Sequence, residues 1–312
     1  MRVVYLGTPA AAVAPLEALL ASERHQVVAV VTRPDKPRDR RGGAPAPSPV
    51  KRVADEAGIP VLQPRGGRDP EFPAALAATG ADIGVSCAFG YLLPPAVLAA
   101  LPRGIINLHF SLLPAYRGAA PVQRALLDGV ERTGVCTFQI DEGMDTGPLL
   151  GCRQVAVLDG EDAGSLTARL AEIGADLVLE TLDGLEAGTL RARPQPAGGS
   201  LAPKIDPAEA RLDFKEPVRR LVAAVRAFTP SPGAWTTFRG RRLKVARAAP
   251  APRGAPELAA GQLGVGPGGE LLAGAGDGAV ELLAVQPEGR RAMSGAEFAR
   301  GARLGEAEWL DR

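Results

Sequence analysis

Through roughly the first 190 residues, short β-branched runs alternate with alanine- and leucine-rich segments. The last third breaks instead into short runs punctuated by glycine and proline. Together these patterns predict an α/β protein: a Rossmann-like, doubly wound parallel sheet followed by a small OB-like β-barrel. A length of 312 residues suits two such cores better than one.

Val3 to Leu6, Val27 to Thr32, Asp82 to Ala88 and Ile105 to Phe110 read as strands. Between them, AAVAPLEALLAS, SPVKRVADEAG and PEFPAALAATG read as helices, with serine or proline at entries and glycine at exits. After Phe110 a long loop leads to the helix PVQRALLDG, then to a pair of strands, GVCTFQI and LLGCRQVAV, around the loop DEGMDTGP. A further helix covers about Ala163 to Leu185. The stretch EAGTLRARPQPAGGSLAPK has no periodicity and reads as a linker. The expected organisation is therefore a first domain over residues 1–189, a linker over 190–206 and a second domain over 207–312. That second domain opens with a basic amphipathic helix, EPVRRLVAAVRAF.

Composition narrows the function classes. Hydrophobic residues are 46%, charged residues 23% and the net charge is +1, so nothing global draws the chain to nucleic acid and any basic surface must be local. The apolar run after Met1 is too short for a signal segment, and no stretch is long and apolar enough for a membrane span. Cys87, Cys136 and Cys152 form no C-x-x-C pair, and only two histidines are present to complete a metal site. The three cysteines read as small reduced core residues of a cytoplasmic protein, with no metal expected.

Proton chemistry near neutrality through imidazole has two candidates, His25 and His109. Period two on a strand puts Asn107 and His109 on one face, at the carboxyl end where open α/β sheets bind ligands. The loop DEGMDTGP supplies carboxylates at Asp141, Glu142 and Asp145. Asp145, between two glycines, is the best placed to orient or charge His109. A nucleotide fingerprint at LGTPAAAV is not supported, because Gly7 is the only glycine where three are needed.

His109-Phe110-Ser111-Leu112-Leu113-Pro114 followed by Gly118 resembles the H-x-S-L-L-P-x-x-x-G signature of the folate-dependent formyltransferases. RGAAPVQRALLDG and TGVCTFQIDEGMDTGPLL resemble the methionyl-tRNA branch of that family. LGTP, TRPDKP, SPVK, GYLLP, APKI, RAFTPSPGAW and LKVARA follow in the family's order, so the resemblance spans nearly the whole chain. It implies formyl transfer from 10-formyltetrahydrofolate to the α-amine of methionyl initiator tRNA. Asn107, His109 and Asp145 take the catalytic positions, and Ser111, Leu112, Leu113 and Pro114 the tetrahydrofolate-binding segment. No membrane and no obligate protein partner are implied.

Departures from the family pattern are Ala10, Ala11 and Ala12, where an aromatic residue is usual after Gly-Thr-Pro, and Arg38, Arg40 and Arg41 in the loop that in the family reaches the tRNA acceptor stem. Charge is kept in that loop, but arginine and lysine differ in geometry. Arg239, Arg241, Arg242 and Lys244 form a second basic cluster suited to tracking an RNA backbone. The rival expectations are a formyltransferase acting on a small amine, such as an amino sugar or glycinamide ribonucleotide, and an RNA-binding protein without catalysis. The two basic clusters argue against the first, and the intact Asn107, His109 and Asp145 against the second.

Overall fold

A computed structural model describes residues 1–37, 45–305 and 308–311. The chain divides into two compact units: residues 1–121, 132–156 and 167–203, and residues 122–131, 157–166 and 204–312.

The first unit is built on strands β1 (Arg2–Gly7), β2 (Gln26–Val31), β3 (Lys36–Pro37), β4 (Pro45–Ala46), β5 (Val61–Leu62), β6 (Ile83–Cys87), β7 (Ile105–His109), β8 (Arg132–Gln139) and β9 (Leu149–Ala156). Seven form one sheet in the order β5-β2-β1-β6-β7-β8-β9. Pairing is parallel from β5 to β7 and antiparallel from β7 to β9. The doubly wound expectation therefore holds for the first five strands of this order, and the predicted strand pair after Phe110 adds an antiparallel edge. Crossover helices lie between the parallel strands, and the nine residues 140–148 joining β8 to β9 allow only a hairpin. β1 and β6 are buried almost throughout, as strands covered on both faces should be.

The helices are α1 (Val13–Leu20), α2 (Pro49–Glu56), α3 (Phe72–Ala78), α4 (Pro95–Leu98), α5 (Pro121–Leu127), α6 (Ala163–Glu186), α7 (Val218–Phe228) and α8 (Gly295–Ala302). α2 starts where the sequence predicts: the Ser48 side chain accepts from the Lys51 amide and Pro49 takes the first turn. Residues 10–12 form a short 3-10 turn before α1, with Ala12 wholly buried. A Cβ on Gly7 would come within 2.9 Å of the Ala12 Cβ, so this crossing requires small residues on both sides. From α6, Gly174 packs on Leu108, and the Thr181 and Thr137 hydroxyls are 2.8 Å apart.

In the second unit β10 (Trp235–Phe238), β11 (Arg241–Pro250), β12 (Leu263–Val265), β13 (Leu271–Ala275), β14 (Gly278–Pro287) and β15 (Met293–Ser294) form an antiparallel sheet in the order β10-β11-β14-β13-β12, with β15 on β14. Residues 308–311 stand at both of its edges: Leu310 bridges to Phe238, and Trp309 to Gln262. The result is a half-barrel around Leu221, Val225, Phe228, Leu243, Val245, Leu271, Leu282 and Val285. α8 is entered through a capping box of Ser294 and Glu297.

One expectation is overturned. Cys136 and Cys152 are not reduced core thiols; they form a disulfide between directly opposed positions of β8 and β9. Their separation of 16 residues matches no motif, and only the strand register brings them together. Cys87 is free and buried, and burial pushes its thiol up to about 12.

Candidate active site

β7 carries Asn107 and His109 to its carboxyl end because its other face, Ile106 and Leu108, is buried in the sheet. His109 is itself buried, with its ring nearly perpendicular to that of Phe138. Nε2 lies 2.9 Å from the Tyr116 carbonyl. A carbonyl can only accept, so Nε2 carries hydrogen and donates it. The other ring nitrogen, Nδ1, faces Asp145 Oδ2 at 3.7 Å. This distance is too long for a hydrogen bond and short enough for a charge interaction. Asn107 is half-buried, and among the described residues its carboxamide has no hydrogen-bond partner.

The loop between β8 and β9 separates its three carboxylates by role. Asp141 accepts from the Gly143 amide and the Thr146 hydroxyl and so shapes the turn. Glu142 is exposed. Asp145 alone reaches the histidine, and its Oδ2 also accepts from the Gly118 amide at 2.8 Å. The structure thus brings His109 and Asp145 together, on the face of β7 that also bears Asn107.

Ser111 is fully buried and its hydroxyl donates to the Ala115 carbonyl at 2.6 Å, closing the turn after β7. Leu113 packs on Cys136 and Phe138, with Leu112 partly buried beside it. Pro114 is half-buried. His25, the second histidine, is buried with Nε2 3.0 Å from Asp183, whose carboxylate also pairs with Arg24. Its Nδ1 faces the Met1 amine at 3.3 Å, so both ring nitrogens are engaged, whereas His109 Nδ1 has no hydrogen-bond partner among the described residues.

Of the basic residues, Arg38, Arg40 and Arg41 lie outside the described residues; the β3–β4 ladder pairs Lys36 with Ala46 and Pro37 with Pro45 on either side of them. Arg239 is gripped by both oxygens of Glu308, an ion pair that raises the guanidinium and holds the Glu308 carboxyl below its usual range. Arg241 faces Glu288 at 3.8 Å. Arg242 and Lys244 are exposed on the face of β11 that meets Trp235 and Thr237 of β10. The Arg242 guanidinium stacks 4.1 Å from the Trp235 ring centre, and Arg211 stands 5.7 Å from the same ring. Sequence patterning missed Trp235 as part of this face. It also missed the Tyr116 carbonyl, which reaches His109 from a loop that has no periodicity.

A buried histidine facing a carboxylate, beside an unpartnered carboxamide at a strand end, puts a proton acceptor and an oxyanion donor at one point. Residues 1–182 match the family model for formyl transferase, and residues 204–303 match that for the formyl transferase C-terminal domain, so the chain belongs to the formyl transferase family. Among curated relatives, the methionyl-tRNA formyltransferase of Frankia casuarinae is 50% identical over 99% of this chain and 96% of its own length. That of Streptomyces coelicolor is 50% identical over 99% of both. Among solved structures, HypX from Aquifex aeolicus in complex with tetrahydrofolic acid shares the fold, with a TM-score of 0.64 at 18% identity over 96% of this chain and 47% of that one.

Proposed function

We propose that the chain transfers the formyl group of 10-formyltetrahydrofolate to the α-amine of methionyl initiator tRNA in the cytoplasm. The observation that carries this reading is half identity, end to end, with proteins named methionyl-tRNA formyltransferase.

Amine attack on the formyl carbon forms a C–N bond and moves the carbonyl electrons onto oxygen. The Asn107 carboxamide donates to that oxyanion, an interaction typically worth about 3 kcal/mol. His109 works through Nδ1, because its Nε2 hydrogen is committed to Tyr116. As Nδ1 takes the amine proton, Asp145 stabilises the imidazolium that forms; the oxyanion then re-forms the carbonyl, the bond from the formyl carbon to the folate nitrogen breaks, and that nitrogen leaves with the proton. Ser111, Leu112, Leu113 and Pro114 form the turn over which the folate lies. Residues 1–189 hold this chemistry, residues 207–312 bind the RNA, and residues 190–206 join them.

Arg242, Lys244 and Trp235 support the RNA assignment, since exposed cations interleaved with an aromatic ring suit a nucleic-acid surface. Arg38, Arg40 and Arg41 are assigned to the acceptor stem, and Arg239 and Arg241 to the rim of the β11 face.

The test is transfer of labelled formyl from the folate donor to charged initiator tRNA, run beside an amino-sugar nucleotide and glycinamide ribonucleotide. Formyl on the tRNA alone is the expected result. Formyl on a small amine alone overturns the reading.

A further inference from the structure

Asp145 and Tyr116, the two residues that contact the His109 ring nitrogens, both have left-handed backbone, with φ of +54° and +59°. Neither is glycine, so each conformation needs restraint from its surroundings. We propose that Gln195 is a positioning residue for formyl transfer that clamps both loops at once; this rests on the assignment of His109 and Asp145 to the reaction.

Gln195 lies in the stretch that reads as a linker, and its side-chain amide is fully used. Its Nε2 donates to the carbonyls of Asp145 and Gly147, each at 2.8 Å, holding the Asp-Thr-Gly turn from both sides of Thr146. Its Oε1 accepts from Arg117 Nε at 3.1 Å and Nη2 at 2.6 Å. Two donors and two lone pairs exhaust the group. Arg117 stands between Tyr116, whose carbonyl accepts from His109 Nε2, and Gly118, whose amide donates to the Asp145 carboxylate. One amide therefore connects the loop that fixes Nε2 to the loop that presents a charge to Nδ1.

The neighbouring chain reinforces the same loop. Ser200 Oγ accepts from the Tyr116 amide, the Ser200 carbonyl from the Arg117 amide, and the Arg117 carbonyl from the Ala202 amide. These contacts fix where the backbone runs. Gln195 alone among them touches the Asp145 turn.

The experiment compares Gln195→Ala and Gln195→Glu with the parent chain. Glu keeps an acceptor for Arg117 and loses both donors to the turn. Gln195 is partly exposed, so neither change opens a core cavity. Both should lower kcat roughly 10- to 100-fold while KM for the folate donor stays within about threefold, because displacements of about an ångström at a reacting group cost that much. In an Asp145→Asn background, Gln195→Ala should lower kcat by a smaller factor than in the parent, since only its hold on the loop that fixes Nε2 is left to lose.

A second readout does not depend on the acceptor. With two histidines in the chain, ring resonances of ¹³C,¹⁵N-histidine protein can be assigned with a His109→Asn variant. Gln195→Ala should shift the His109 signals at fixed pH and leave those of His25 in place. Unchanged kcat in Gln195→Ala with an active parent overturns the clamp and leaves the proposed function standing. Wild-type kcat in Gln195→Glu with a defective Gln195→Ala also overturns it, because Arg117 and not the Asp145 turn would then be the target. If the parent formylates no tRNA, the His109 resonances decide: a shift supports the clamp and coincident spectra reject it.

Discussion

Replacing Asp145 by asparagine isolates the charge of the carboxylate from its shape. Asp145 Oδ2 accepts from the Gly118 amide at 2.8 Å, and an asparagine oxygen can take the same hydrogen, so the loop keeps its anchor. What disappears is a negative charge 3.7 Å from His109 Nδ1. Coulomb's law at that separation gives about 1 kcal/mol in bulk water and about 4.5 kcal/mol at an effective dielectric of 20. The histidine side chain is 7% exposed and the carboxylate 21%, which places the pair between these limits, at about 2 to 3 kcal/mol. If His109 becomes positive as it takes the amine proton, that loss corresponds to roughly 30- to 150-fold in kcat. The assay is the initial rate of labelled formyl transfer to charged initiator tRNA with both substrates saturating, with thermal unfolding followed in parallel to confirm the fold. A kcat within about threefold of the parent, with the fold intact, would refute a charged role for Asp145 and leave it as a loop anchor.

Three further outcomes are expected. His109→Ala should reduce formyl transfer at least about 100-fold with tRNA affinity nearly unchanged, the range usual for an acid–base group, measured by single-turnover rates and filter binding. Arg242→Ala with Lys244→Ala should weaken tRNA binding and flatten the slope of log affinity against log salt, by about 0.7 to 0.9 for each phosphate that is no longer neutralised; Arg239→Ala should flatten it less, because Glu308 already engages that guanidinium. Iodoacetamide should label no cysteine in the native chain, Cys87 alone after unfolding, and all three after unfolding with reduction, read by intact mass; native labelling of Cys136 or Cys152 would show the thiols reduced. Reducing that bond, which closes a 16-residue separation, should lower stability by about 3 kcal/mol in denaturant titrations.

The amino-acid sequence by itself determined what depends on neighbours along the chain. Alternation on β7 put Asn107 and His109 on one face, Ser48-Pro49 opened α2, and Gly129 ended α5 with the positive φ that glycine allows. The signature from His109 to Gly118 marked the site because its residue types sit at fixed short spacing. Tertiary structure alone decided what depends on residues far apart in sequence. It brought Asp145, which its flanking glycines had already marked in the sequence, onto Gly118 and His109 while Asp141 stays bound to Thr146. It joined Cys136 to Cys152 through a register that no spacing encodes. It also brought Gln195, 50 residues from Asp145, onto the Asp145 turn from a stretch whose proline and glycine content hides any pattern. A linker composition and a clamp composition look alike in sequence, because loop hydrogen bonds are set by where the backbone passes and not by a repeating side-chain period.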